Sequence, residues 1–217
     1  VKTSILDYLL SGLAIWLILA ASIALVAAQV SVSSHLLGEY HVLTDFFLAL
    51  LIYGLLSALA VRLLLKLKPL RPGEYSMDSP EFTYWKLLTI VYRMGQGALT
   101  PFTPVFMRPV VQVLFGAKVG KDVAIGGTID DPYMVTLGDG AVLGNGSLVS
   151  GNVVYGGKFI CGEVRIGAGA TVGVNSVVLP GVEIGDNALL HGASHVLAGT
   201  RIPAGESWRG NPARKWV

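Results

Sequence analysis

Charge is scarce in this chain of 217 residues: 14% are Asp, Glu, Lys or Arg, against about 25% in a typical soluble domain. Cysteine is scarcer still. Cys161 stands alone, which excludes a disulfide framework and any all-cysteine metal site. Charge of either sign is not in large excess: the net charge is +2 and the pI is near 8.7, too mild to point to a nucleic-acid partner. Disorder is excluded by an apolar fraction of 53%, and a collagen-like fibre by glycine spacing that is not three.

Apolar residues and glycine are what the chain does have. The mean hydropathy is +0.62, in the direction of a membrane protein. Of the 27 glycines, six precede Gly116 and 21 lie from Gly116 onward. Lipid-spanning helices do not need so much glycine, so two different parts share one chain.

The first part reads as a membrane anchor. Tyr8 to Gly38 contains no Asp, Glu, Lys or Arg, and Leu13 to Ala28 is almost wholly apolar. A second apolar run extends from Phe46 to Leu65, broken only by Arg62 near its end. Each satisfies the requirement of about 20 apolar residues for a spanning helix, and Arg62 can snorkel to the headgroups. The first run is long for a cleaved signal, and a second span follows it closely. Arg62, Lys66, Lys68 and Arg71 cluster after the second run, whereas the connecting segment Gln29 to Asp45 has no Lys or Arg. The positive-inside rule therefore predicts a multi-pass membrane protein with both termini and the C-terminal domain on the cytoplasmic side. Gly12, Gly54, Ser57 and Ala58 are candidates for close helix packing. His35 and His41 fall in the expected outer loop, where solvated side chains are a simpler reading than metal ligands.

Between the two parts, Pro69 to Pro80 reads as a linker rich in turn formers. Ser79 followed by Pro80 and Glu81 predicts a helix start, with the helix ending near Gly95 and Gly97. A second short helix is expected from Pro104 to Phe115. Aromatic and basic residues such as Trp85, Lys86 and Arg93 suit helices lying at a membrane surface or packing beneath the next domain. The expected division is thus 1–68 anchor, 69–117 linker and interfacial helices, and 118–217 repeat domain.

The repeat is explicit. Ile166, Val172, Val178, Ile184, Leu190, Val196 and Ile202 are aliphatic at seven consecutive positions spaced six apart. Two positions before the later six stand Ala170, Ser176, Val182, Ala188, Ser194 and Thr200, nearly all small. The pattern occurs earlier at Leu137, Leu143 and Val149, and again at Val119 and Ile125. A six-residue period is the signature of a parallel β-helix in which three short strands make one triangular turn around an aliphatic axis. Glycine permits the tight corners. About four to five turns are expected, with interruptions at Gly127 to Met134 and at Ser150 to Glu163. The second interruption is the candidate functional loop, because the wall of the prism cannot absorb it.

The repeat, with the ending Gly210-Asn211-Pro212-Ala213-Arg214, resembles the hexapeptide-repeat acyltransferases. Leu70-Arg71-Pro72-Gly73, Phe115-Gly116-Ala117-Lys118-Val119-Gly120 and Val135-Thr136-Leu137-Gly138-Asp139-Gly140-Ala141 are similar to the membrane-bound C-terminal domain of the poly-ε-lysine synthetase type. The resemblance implies a left-handed parallel β-helix, a homotrimer, and transfer of an acyl group from acyl-CoA or a carrier thioester to an amine or hydroxyl. A histidine typically deprotonates the acceptor in such proteins. The resemblance places that position at Asn152, which has no basic nitrogen and can only orient or polarise. His191 is the other candidate catalytic residue, with His195 nearby, although both also suit structural or surface roles.

By the same resemblance, Gly173, Gly192 and Ala193 line a groove for acyl-CoA as co-substrate, with Arg209, Arg214 and Lys215 near a nucleotide phosphate. Those basic residues suit equally a solvated turn or anionic lipid. Tyr155, Lys158 and Cys161 lie in the long loop, within reach of a neighbour's groove. Gly167 to Gly173 has the wrong last spacing for a dinucleotide fingerprint. A γ-class carbonic anhydrase needs three histidines, whereas the repeat domain holds His191 and His195, so no metal is expected. Two readings result: a membrane-anchored trimeric acyltransferase, or a non-catalytic trimeric scaffold for membrane-protein partners.

Overall fold

The computed structural model describes residues 3–216. The chain divides into two compact units, one made of Val1–Pro69 and Thr83–Pro104, the other of Leu70–Phe82 and Val105–Val217.

In the first unit, helix α1 (Ile5–Ala27) opens with a capping box: Asp7 N–H donates to Ser4 Oγ, and Ser4 N–H to the Asp7 carboxylate at 2.7 Å. The expected outer loop is largely helical, as α2 (Val30–Leu37), and α3 (His41–Leu67) follows after a single 3-10 turn. No helix breaker intervenes before Gly38, whose φ of +57° stops α2. The start of α3 is fixed by buried Asp45, which accepts from Gln29 Nε2 at 2.6 Å and Ser33 Oγ at 3.1 Å. Among the described residues, two helical segments are long and apolar enough to cross a membrane. Their large side chains, including Leu13, Trp16, Leu17, Leu55 and Leu59, are mostly exposed, unlike those of a soluble core helix.

Gly54, Ser57 and Ala58 are buried as expected, but Gly12 faces open space. A Cβ on Gly54 would lie 2.4 Å from Leu99 and 3.1 Å from the Gly95 carbonyl. That close approach explains why α4 (Pro80–Leu99) runs past Gly95 and Gly97 instead of ending there. Packing outweighs a propensity cost of about 1 kcal/mol per glycine. The helix gives way at the 3-10 turn Thr100–Phe102, where Pro101 intervenes. Its start is as expected, with Phe82 N–H donating to Ser79 Oγ at 3.2 Å.

The second unit is a three-faced parallel solenoid of about five turns. One face stacks Lys118–Val119, Val135–Leu137, Val164–Ile166, Glu183–Ile184 and Arg201–Ile202. A second stacks Ala124–Ile125, Val142–Leu143, Thr171–Val172, Leu189–Leu190 and Ser207–Arg209, and a third Thr128–Asp130, Leu148–Ser150, Val177–Val178 and His195–Val196. The register puts every repeat aliphatic on its predecessor: Leu137, Ile166, Ile184 and Ile202 form one stack, and Leu143, Val172, Leu190 and then Trp208 another. The aliphatic members of these stacks, with Ala170, Ser176, Val182, Ala188 and Ser194, are essentially inaccessible, and Trp208 is partly buried against them. Burial of such a continuous axis is the main favourable term in a fold whose individual strands have two or three residues.

The expected second short helix is shorter than Pro104 to Phe115. A 3-10 turn, Val105–Met107, precedes α5 (Arg108–Leu114), with Pro109 in its first turn. Val111 and Phe115 are buried, and Arg108 Nη1 donates to the carbonyls of Ile125 and Gly126 at 3.4 and 3.1 Å. The open edge of the first coil is thereby partly satisfied.

Both irregular segments behave differently from a simple interruption. Val119 and Ile125 pair 18 residues on, with Leu137 and Leu143, so the first coil has ordinary length. Within it, however, Ile129 pairs with Val149, and the 3-10 turn Pro132–Met134 takes up the displaced residues. The Ser150 to Glu163 segment is a true insertion and not an open loop. Strands Asn152–Tyr155 and Lys158–Cys161 form a hairpin, to which Gly73–Ser76 from the expected linker adds a third antiparallel strand.

Candidate functional site

The two irregular segments meet. Gly151 N–H donates to the Asp130 carbonyl at 3.3 Å, and a Cβ on Gly151 would fall 2.7 Å from Met134 Cβ and 3.2 Å from Asp131 Cβ. Only glycine allows this approach. Asp131 is 3% exposed and holds a left-handed backbone at φ +56°. Its carboxylate accepts from Tyr133 Oη at 2.9 Å through one oxygen and from Asn152 Nδ2 through the other. The backbone beside Asn152 is held as well: Ser150 Oγ donates to the Asn152 carbonyl at 2.8 Å and accepts from its N–H at 3.3 Å. Asn152, half-buried, is therefore a fixed polar group.

Across the hairpin Asn152 is opposite Cys161. The Cys161 thiol donates to the Arg71 carbonyl at 3.2 Å, and burial pushes it up from 9.0 to about 11, with Asp131 adding to the rise. It is a packed thiol, not a nucleophile at neutral pH. Tyr155 is exposed, and Lys158 is paired with Glu74 at 3.0 Å.

His191 does not join Asn152. It follows Leu190 on the second face, one register step beyond Thr171–Val172, whereas Asn152 follows the earlier strand Leu148–Ser150 of the third face. Its ring meets Trp216 edge-on at 4.6 Å, and its buried Nε2 makes no hydrogen bond. His195 lies in a wall strand, where its backbone takes a hydrogen bond from Ala213 N–H and donates one to the Gly210 carbonyl.

The residues expected at an acyl-CoA site are largely neighbours. Gly173 sits directly under the next corner, since a Cβ on it would lie 2.4 Å from Gly192 N. Ala193 follows with φ +54°. Arg209 and Arg214 face each other in an antiparallel pair beside that corner, and the Arg209 guanidinium stacks on Trp216 at 4.7 Å. Lys215 is drawn away to Glu206 at 2.6 Å, which holds the Glu206 carboxyl below its usual range. Backbone groups, a strained corner and two guanidinium groups suit an anionic ligand. Two open grooves, of about 600 and 500 Å³, lie along the Arg165, Glu183 and Arg201 face and beside the hairpin. Neither is lined by Asn152 or by Gly173, Gly192 and Ala193. No cluster of three metal-ligating side chains occurs among the described residues.

The sequence does not mark Asp131 and Tyr133 as site residues; the signal it carries is that both irregular segments interrupt the same repeat.

The family model described as the hexapeptide repeat of succinyl-transferase matches residues 163–192. Delta-poly-L-ornithine synthetase from Acinetobacter baumannii (strain AB307-0294) is 29% identical over 119 residues, which are 54% of this chain and 9% of that protein. The mitochondrial gamma carbonic anhydrase 2 of Arabidopsis thaliana is 28% identical over 129 residues, 51% of this chain and 46% of that one. The chain thus spans less than half the length of these relatives. Among solved structures, a galactoside acetyltransferase in complex with coenzyme A shares the fold with a TM-score of 0.50 at 16% identity, over 67% of this chain and 86% of that one. With aliphatic residues at six-residue steps stacked on three faces and a family model matching residues 163–192, the chain carries the hexapeptide repeat and is similar in fold to the left-handed β-helix of the hexapeptide-repeat acyltransferases.

Proposed function

We propose that the chain is a membrane-anchored, trimeric acyltransferase that moves an acyl group from a CoA thioester to an amine at the cytoplasmic face. The carrying observation is the strained corner of Gly173, Gly192 and Ala193 with Arg209 and Arg214 beside it. The N–H groups of Gly173 and Ala193 donate within the wall, so the Gly192 backbone suits a pantetheine amide, and the two guanidinium groups suit phosphate. The exposed apolar helices support the anchor.

The acceptor nitrogen attacks the thioester carbonyl carbon. A C–N bond forms, the C–S bond breaks, and the nitrogen's surplus proton passes through water to the departing thiolate, so that CoA leaves as the thiol. Asn152 cannot take that proton, so an amine, whose ammonium form gives up a proton to water far more readily than an alcohol does, is the better acceptor. Titration of acetyl-CoA into the purified, detergent-solubilised chain is expected to show saturable binding that weakens in Arg209→Ala. Absence of heat at millimolar CoA sinks the proposal.

A scaffold reading is favoured by two observations: the Asn152 amide is tied to Asp131, and the His191 ring packs on Trp216. On that reading the chain co-purifies with membrane-protein partners, and His191→Ala leaves their yield unchanged.

A further inference from the structure

We propose that Asp131 is a positioning residue, turning the Asn152 amide so that its NH2 faces the protein and its carbonyl oxygen faces the acceptor, an amine in its cationic form. This rests on the acyl-transfer reading above. A carboxylate oxygen only accepts hydrogen bonds, so the group that Asn152 turns towards Asp131 has to be Nδ2. Its Oδ1 then has one direction left. That oxygen accepts no hydrogen bond from any described residue and is not buried.

The orientation is held from several sides. Asp131 is enclosed at 3% exposure, on a backbone that L-residues rarely adopt, with Tyr133 donating to its other oxygen. Backbone strain of this kind costs about 1–3 kcal/mol and persists only where the surroundings over-determine it. Gly151 lets the hairpin approach closely enough for the Asn152 amide to reach the carboxylate. The third-face register, with Asp130 opposite Ser150, brings the two chains side by side, and both leave the wall directly after it.

The chemistry that fits is an N–H donor with positive charge. An amide carbonyl with a buried carboxylate behind it is polarised towards negative charge, so an alkylammonium gains more there than a neutral hydroxyl. The ammonium gives its proton to water before attack, and Asn152 holds the nitrogen in place.

The test uses the full chain in detergent with acetyl-CoA, a series of primary alkylamines and the matched alcohols. Asp131→Asn removes the carboxylate and frees the amide to flip. It is expected to raise KM for the amines about tenfold, the loss of one charge-assisted hydrogen bond. The kcat for amines and the KM for alcohols are expected to stay within about threefold, below the scale of one hydrogen bond. An equal effect on amines and alcohols, or a fall in kcat alone, overturns the proposal. Should Asp131→Asn fail to fold, Asn152→Leu removes the accepting oxygen itself and is expected to raise KM for the amines about tenfold while KM for the alcohols stays within about threefold; an unchanged KM for the amines overturns the idea.

A second readout needs no turnover. With asparagine side chains labelled with ¹⁵N, the Asn152 NH2 signal, identified by its loss in Asn152→Leu, is expected downfield and shifted in Asp131→Asn. An unchanged signal overturns the orientation. If wild-type chain neither binds CoA nor acetylates any acceptor, the acyl-transfer reading falls, and this signal still decides the orientation of residue 152.

Discussion

Ala193 holds φ at +54° at a corner where Asn175 and Gly146, one and two turns earlier, are also left-handed. Asparagine and glycine accept that conformation cheaply, whereas alanine costs about 1–2 kcal/mol. Ala193→Gly relieves this cost and gives back part of it as unfolded-chain entropy, so a net gain of up to about 1 kcal/mol is expected. Ala193→Val, β-branched at positive φ, is expected to lose about 2 kcal/mol. Thermal unfolding of the solubilised chain checks both, with opposite signs of ΔTm. The corner positions were legible because the six-residue step fixes where each falls. The polarity around Asp131 was not legible, since its partners include Tyr133, two residues away, and Asn152, 21 residues away on a segment outside the repeat.

At the scale of elements, the hairpin is bound into the second unit by a small aromatic cluster. Phe159 is fully buried, with its ring 5.2 Å from Phe82 and 6.3 Å from Tyr75. Phe159→Ala is expected to cost about 3–5 kcal/mol, as for other large aromatic truncations in a core. The loss is local. Hydrogen exchange should speed up in 73–76 and 152–161, while the amides of 164–202 keep their protection; faster exchange throughout the prism contradicts the assignment. The axial strands could be read from sequence because each repeats a local pattern. The Gly73–Ser76 strand could not, because its pairing with Lys158–Cys161 joins segments more than 80 residues apart and rests on tertiary packing. The same limit applies to α4, where Gly95 and Gly97 look like a helix end, yet the helix continues where Gly54 packs closely against the Gly95 carbonyl and Leu99.

For the whole molecule, the outward residues of the three faces differ in a way that bears on assembly. Register aligns Lys118, Thr136, Arg165, Glu183 and Arg201 on the first face, where Glu183 bridges both arginines at 3.0 and 3.7 Å. The second aligns Ala124, Val142, Thr171 and Leu189, and the third Thr128, Leu148, Val177 and His195. Water suits the first face. The other two are nearly without charge, and at the edge between them Val174 is 54% exposed. Interface cores are depleted of charge, so the proposed trimer is expected to pack through these two faces. Their shared edge carries Gly173, Gly192 and Ala193, which would put the proposed CoA site between neighbouring prisms. Leu189→Glu and Val177→Glu each bury a carboxylate with no partner in such an interface, an expected cost of several kcal/mol, and light scattering of the solubilised protein should report monomer. Arg201→Glu changes charge on the solvent face by as much, and the trimer should survive it; dissociation in Arg201→Glu with persistence in Leu189→Glu would assign the interface to the charged face instead.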